Sequence, residues 1–141
     1  MKPVNCIMLV DDNKVDNFFH ERVITKAKAA SIIISRISGR EGLDYLAVEV
    51  PAGAVRPDIL FLDINMPGMN GWEFLEEYKK LDISMQAKMV VVMLSTSRNP
   101  DDIAKAQTYG ALTDFKSKPL TEQMLEDVLE KFHNSDTKSL F

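Results

Sequence analysis

Five times along this chain an apolar, strand-like run is followed by a stretch whose apolar residues recur at helical spacing, and this alternation limits the fold more than any other feature. Val4 to Val10 is near-continuously apolar and reads as a strand covered on both faces. Val15, Phe18, Phe19, Val23 and Ile24 then recur at helical spacing and predict a helix to about Ala30. Ile32 to Ile37 is the second strand, Gly39 marks a turn, and Leu43, Leu46, Ala47 and Val50 form a second helix closed by Pro51. Asp58 to Leu62 is the third strand, followed after a Pro/Gly-rich turn by Phe74, Leu75 and Tyr78 at helical spacing. Lys88 to Leu94 is the clearest buried strand. Asn99-Pro100-Asp101-Asp102 opens the fourth helix with a cap, a first-turn proline and two acids, and that helix stops at Gly110. Ala111 to Phe115 is a short fifth strand, and a last helix runs from Thr121 through Phe132.

Strict βα alternation implies an α/β fold with a parallel sheet, helices on both faces and right-handed crossovers. Five strands and five helices suit the doubly wound, flavodoxin-like order 2-1-3-4-5. Residues 4–133 make one domain, and 134–141 read as a polar tail. The net charge of −4 argues against a general binder of nucleic acid or anionic membrane. No apolar run approaches the ~18 residues of a membrane span, and the N-terminal apolar run is too short for a signal peptide, so a cytoplasmic location is expected. Cys6, the single cysteine, sits in an apolar run and reads as a core thiol. Trp72 and the methionines read as packing residues, and His20 and His133 as surface or boundary residues.

In such a sheet each strand delivers its last residue to one edge, where ligands bind in open α/β sheets. Strand 1 brings Asp11 and Asp12 there, strand 3 brings Asp63, strand 4 brings Ser95 and Thr96, and strand 5 leads to Lys118. Taken singly, the paired acids could cap a helix, Asp63 could be a turn residue and Lys118 a solvated lysine. Their convergence points elsewhere. Three clustered carboxylates repel one another unless a cation compensates, and an oxygen-only donor set suits Mg²⁺. A carboxylate beside a metal, an ammonium and a hydroxyl is a site for phosphoryl transfer onto the carboxylate.

At these residues the sequence resembles the receiver domain of two-component response regulators, in its single-domain, chemotaxis-regulator-like form. The matching pieces are 9–13 (Leu-Val-Asp-Asp-Asn), 62–71 (Leu-Asp-Ile-Asn-Met-Pro-Gly-Met-Asn-Gly), 94–97 (Leu-Ser-Thr-Ser) and 116–119 (Lys-Ser-Lys-Pro). The resemblance implies that Asp63 is the phosphoacceptor. It implies that Asp12, Asp63 and the Asn65 carbonyl bind Mg²⁺, with Asp11 acting through water. Ser95 and Lys118 would contact the phosphoryl oxygens, and Phe115 would occupy an aromatic switch position. Ser95 stands where Thr is commoner, and Phe115 where Tyr is also frequent. The implied partners are a sensor histidine kinase or histidine phosphotransfer protein and a protein target on the helix 4, strand 5, helix 5 face. Weak autophosphatase activity is also implied. With little chain after the fifth helix, no output domain is expected. An aspartate-nucleophile phosphatase is the competing enzyme reading, but it usually needs an acid two residues after the nucleophile, where this chain has Asn65. A pseudo-receiver that only binds partners would tend to lose the acids or the lysine, and all are kept here.

Overall fold

A computed structural model describes residues 1–94, 100–108 and 113–139. The elements run β1 (Val4–Val10), α1 (Lys14–Lys26), β2 (Ala30–Arg36), α2 (Gly39–Asp44), a π-helical continuation (Tyr45–Glu49), β3 (Ile59–Asp63), α3 (Gly71–Tyr78), a 3-10 turn (Ile83–Met85), β4 (Met89–Leu94), α4 (Pro100–Gln107), β5 (Thr113–Ser117) and α5 (Glu122–Ser139). All neighbouring strands are parallel, in the order β2-β1-β3-β4-β5. This is the doubly wound, flavodoxin-like architecture that the alternation implies.

The three central strands are apolar on both faces because both faces are covered. Met8, Val10, Leu60, Leu62, Val90 and Val92 pack into one core with Leu43, Leu46, Phe74, Leu75 and Tyr78 of α2, its continuation and α3. Ile7, Leu9, Ile59, Phe61, Val91 and Met93 point the other way, into a second core with Ile24 of α1 and Leu125, Val128, Leu129 and Phe132 of α5. The period of two along each strand sorts the residues between the cores. Cys6 is fully buried, and burial, then Asp58, pushes its thiol up to about 11, as befits a core residue.

The first helix has a rotation that its helical spacing does not fix. Val15, Phe18 and Phe19 are 60%, 54% and 55% exposed, while Asn17, His20 and Ile24 are buried. The residues at 15, 18, 19 and 22 and those at 17, 20 and 24 both recur at helical spacing. Polar contacts choose between the two stripes. Asn17 Nδ2 donates to the Asp11 carbonyl at 2.9 Å, and Lys118 Nζ donates to Asp16 Oδ2 at 3.0 Å, so the helix is held by its polar side. His20 is therefore an interior residue rather than a surface one, and burial lowers its pKa.

Other boundaries move for local reasons. Helix α1 ends at Lys26, and Lys28 takes a positive φ of 54°. The chain thereby returns early to the sheet, where Val4 N–H donates to the Ala29 carbonyl. Gly39 is not a turn but the first residue of α2, behind a Ser38 cap whose side chain accepts from the Glu41 amide. A Cβ on Gly39 would lie 2.8 Å from Met69 Sδ, so a larger residue would crowd the loop after β3. Helix α5 continues to Ser139, past the point where a polar tail was expected. The expected cap Asn99 and the start of the expected fifth strand at Ala111 fall outside the described residues.

Candidate functional site

Sheet register assembles the site. Val10 of β1 lies opposite Leu62 of β3, so the next residue of each strand, Asp11 and Asp63, arrives side by side at the carboxyl edge. Both are 4% exposed. Each carboxylate steadies its own loop: Asp11 Oδ1 accepts from the Asn13 amide at 2.9 Å, and Asp63 Oδ1 accepts from the Asn65 amide at 3.1 Å. These side-chain-to-backbone bonds close tight Asx turns that face the acids across the edge. Asp12, the next residue after Asp11, is exposed.

The chain beyond β3 is shaped to come close. Gly68 takes φ +75°, a conformation that glycine enters without strain. A Cβ on Gly71 would stand 2.6 Å from the Ile64 Cα and 2.9 Å from the Asp63 carbonyl oxygen, so only glycine allows α3 to start against the end of β3. Asn70 and Glu73 then close a complete capping box at the start of α3. Further along this turn and helix, Trp72 Nε1 donates to Asp102 Oδ1 of α4 at 3.3 Å, and Lys105 Nζ lies 5.3 Å from the centre of the indole ring.

Lys118 enters from the loop after β5. Its Nζ is 2.6 Å from Asp11 Oδ2, 3.0 Å from Asp16 Oδ2 and 3.5 Å from Asp63 Oδ2. Asp16 was not anticipated: on the sequence it is one more acid in a helix's first turn. Burial works against the lysine's charge, but hydrogen bonds to Asp11 and Asp16 and the nearby Asp63 hold its pKa above the ordinary lysine range. Asp63 is pushed up to about 6, first by burial and then by Asp11 and Asp12, against the lowering effects of the Asn65 amide and Lys118.

Asp11, Asp12 and Asp63 each offer one oxygen, and these atoms lie within 4.8 Å of one another. Oxygen donors at that spacing, carrying more negative charge than one ammonium offsets, fit a hard divalent cation such as Mg²⁺. Asn65 follows on the same loop, with its side chain exposed. Phe115 lies opposite Val92 on β5 and packs, half-buried, against the core on the α2–α3 face. Ser95, the expected hydroxyl donor, lies outside the described residues. Among the described residues, no helix is long and apolar enough to cross a membrane.

Comparison with known proteins agrees with this geometry. A two component response regulator from Cytophaga hutchinsonii superposes with a TM-score of 0.82 at 33% identity, covering 94% of this chain and 99% of that one. Response regulator Rcp1 of Synechocystis sp. is 34% identical over 106 residues, 72% of this chain and 68% of its own length. The nitrate/nitrite response regulator protein NarL of Escherichia coli is 27% identical over 92% of this chain, which spans only 53% of that protein's length. The model of the response regulator receiver domain matches residues 7–130, and the chain belongs to that family.

Proposed function

We propose that this receiver domain is a phosphorylation switch: Asp63 takes a phosphoryl group from the phosphohistidine of a sensor kinase or phosphotransfer protein and signals to a protein partner. The observation that carries this reading is the placement of Lys118 Nζ between Asp11 and Asp63, within a trio of carboxylates at the edge of the sheet. Asp63 is the nucleophile because it ends a central strand, is oriented by the Asn65 amide and lies beside the ammonium. Its Oδ2, the oxygen not bonded to the Asn65 amide, forms a bond to phosphorus as the donor's P–N bond breaks and the imidazole leaves. The developing charge on the phosphoryl oxygens meets Lys118 and, in this reading, the hydroxyl of Ser95. Asp12, Asp63 and the Asn65 carbonyl, with Asp11 through water, would hold Mg²⁺, which would supply further neutralising charge there. Attack of water on phosphorus later breaks the Asp63 O–P bond, releases inorganic phosphate and returns the carboxylate, which gives the switch its own slow reset.

Output passes to the face formed by α4, β5 and α5. In this reading Phe115, in β5 opposite Val92, changes its packing when the end of β4 moves, which biases two arrangements of that face. The chain is then a switch rather than an enzyme with a diffusing substrate. The absence of an acid at Asn65 leaves no group to protonate a leaving alcohol, which disfavours a small-molecule phosphatase.

The test is incubation with Mg²⁺ and acetyl phosphate, or with a phosphorylated sensor kinase, followed by intact-mass measurement. Wild type gains one phosphoryl group that hydroxylamine removes, EDTA blocks the gain, and Asp63→Asn gains none. A phosphoryl adduct at normal yield in Asp63→Asn overturns the assignment.

A further inference from the structure

Lys118 is the group that must meet the incoming phosphoryl oxygens, yet its two shortest contacts are to other acids. Nζ lies 2.6 Å from Asp11 and 3.0 Å from Asp16, and Asp63 is left at 3.5 Å, beyond a good hydrogen bond. Asp11 alone would keep the ammonium in the pocket. Asp16 adds a second anchor from a different element, the first turn of α1. That turn is fixed by the Asn13 cap, whose side chain accepts from the Val15 and Asp16 amides, and by the bond from Asn17 to the Asp11 carbonyl. The Asp16 side chain is 36% exposed, so it can let go of the lysine and be solvated.

We propose that Asp16 is a positioning residue that holds Lys118 back from Asp63 and thereby restrains phosphorylation. For the phosphoryl group to bind, the ammonium must exchange the Asp16 carboxylate for a phosphoryl oxygen. Asp16 competes for it throughout, and its own negative charge stays close to the arriving phosphoryl oxygens. Asp16 touches neither the nucleophile nor the donor. It acts through the lysine. The proposal rests on Asp63 being the phosphoacceptor.

The experiment follows the initial rate of acyl phosphate formation on the full chain with Mg²⁺ and acetyl phosphate, where the Asp63 Oδ–P bond forms as the P–O bond to acetate breaks. It also measures the affinity for beryllofluoride, a phosphoryl mimic. Asp16→Asn is expected to raise the rate and tighten beryllofluoride by roughly two- to fivefold, the scale of one partly exposed carboxylate ceasing to hold an ammonium. Asp16→Glu, which keeps the charge, should return both values to near wild type. The gain in Asp16→Asn should persist when salt is raised from ~0.05 to ~0.5 M, because a contact is screened far less than long-range repulsion. Equal or slower phosphorylation in Asp16→Asn, with wild type still labelled on Asp63, overturns the proposal and leaves the phosphoacceptor reading intact. A gain that vanishes at high salt overturns it too, since bulk charge would then account for the effect. Wild type that takes no phosphoryl group on Asp63 removes both readings.

Discussion

Helices α1 and α3 both follow a strand that ends in an acid, and both are capped by asparagine, Asn13 and Asn70, yet they turn opposite kinds of residue inward. Helix α3 buries Phe74, Leu75 and Tyr78. Helix α1 buries Asn17, His20 and Ile24 and leaves two phenylalanines in solvent, edge to face at 5.7 Å with Arg22 over Phe18. The difference is where the polar partners lie. Beside α3 the site is built by backbone: Gly71 lies against Ile64 and the Asp63 carbonyl. Beside α1 the site is built by side chains, because Asn17 and Asp16 reach Asp11 and Lys118. A helix that contributes hydrogen bonds to a buried pocket is rotated to do so, and its apolar stripe goes where room is left.

The contrast can be broken most sharply by truncation. Phe74→Ala should destabilise the fold by about 3–5 kcal/mol, measured by denaturant unfolding, because it empties a fully buried site. Asn17→Ala should cost about 1–3 kcal/mol, since the Asp11 carbonyl then loses its donor inside the protein. A cost near zero would mean that the polar contact does not set the rotation of α1. The acids of the two loops can be separated by pH. With Asp63 raised to about 6, the folded metal-free protein binds a proton that the unfolded chain has already lost, so stability falls as pH rises from about 4 to about 6. Mg²⁺ bound at Asp63 would have to displace that proton, and its affinity by calorimetry should then weaken by about tenfold per pH unit below about 6. Affinity flat between pH 5 and 7 would place the metal away from Asp63. Next in size are the caps: Asn70→Ala should cost about 1 kcal/mol for the lost capping box. Smallest is Phe18→Ala, expected within about 0.5 kcal/mol because its ring is already solvated. A loss approaching that of Phe74→Ala would show the outer face of α1 to be covered in solution.

Strand order, the two-faced sheet and the meeting of Asp11, Asp63 and Lys118 were legible in the sequence because each follows from alternation. Apolar runs of strand length, each ended by a polar residue, leave few topologies, and a parallel sheet brings all strand ends to one edge. The rotation of α1 was not legible. Both of its stripes have helical period, so spacing alone does not choose between them. The rotation is decided by Asn17 and Asp16, whose partners at positions 11 and 118 are known only once the sheet has formed. His20 was misplaced for the same reason. The π-helical continuation of α2 had no signal either, since Tyr45 to Glu49 has the composition of any helix.

Trp72, the sole tryptophan, spans two parts of the proposed switch: its backbone lies in the first turn of α3, just after the loop that follows β3, and its indole rests on α4 through Asp102 and Lys105. The molecule thereby carries its own optical gauge. A shift of α4 relative to the phosphoacceptor loop changes the charge next to the ring, and with it the emission colour and yield. The timing of the switch can therefore be followed in unlabelled protein, by stopped-flow fluorescence on adding beryllofluoride and Mg²⁺.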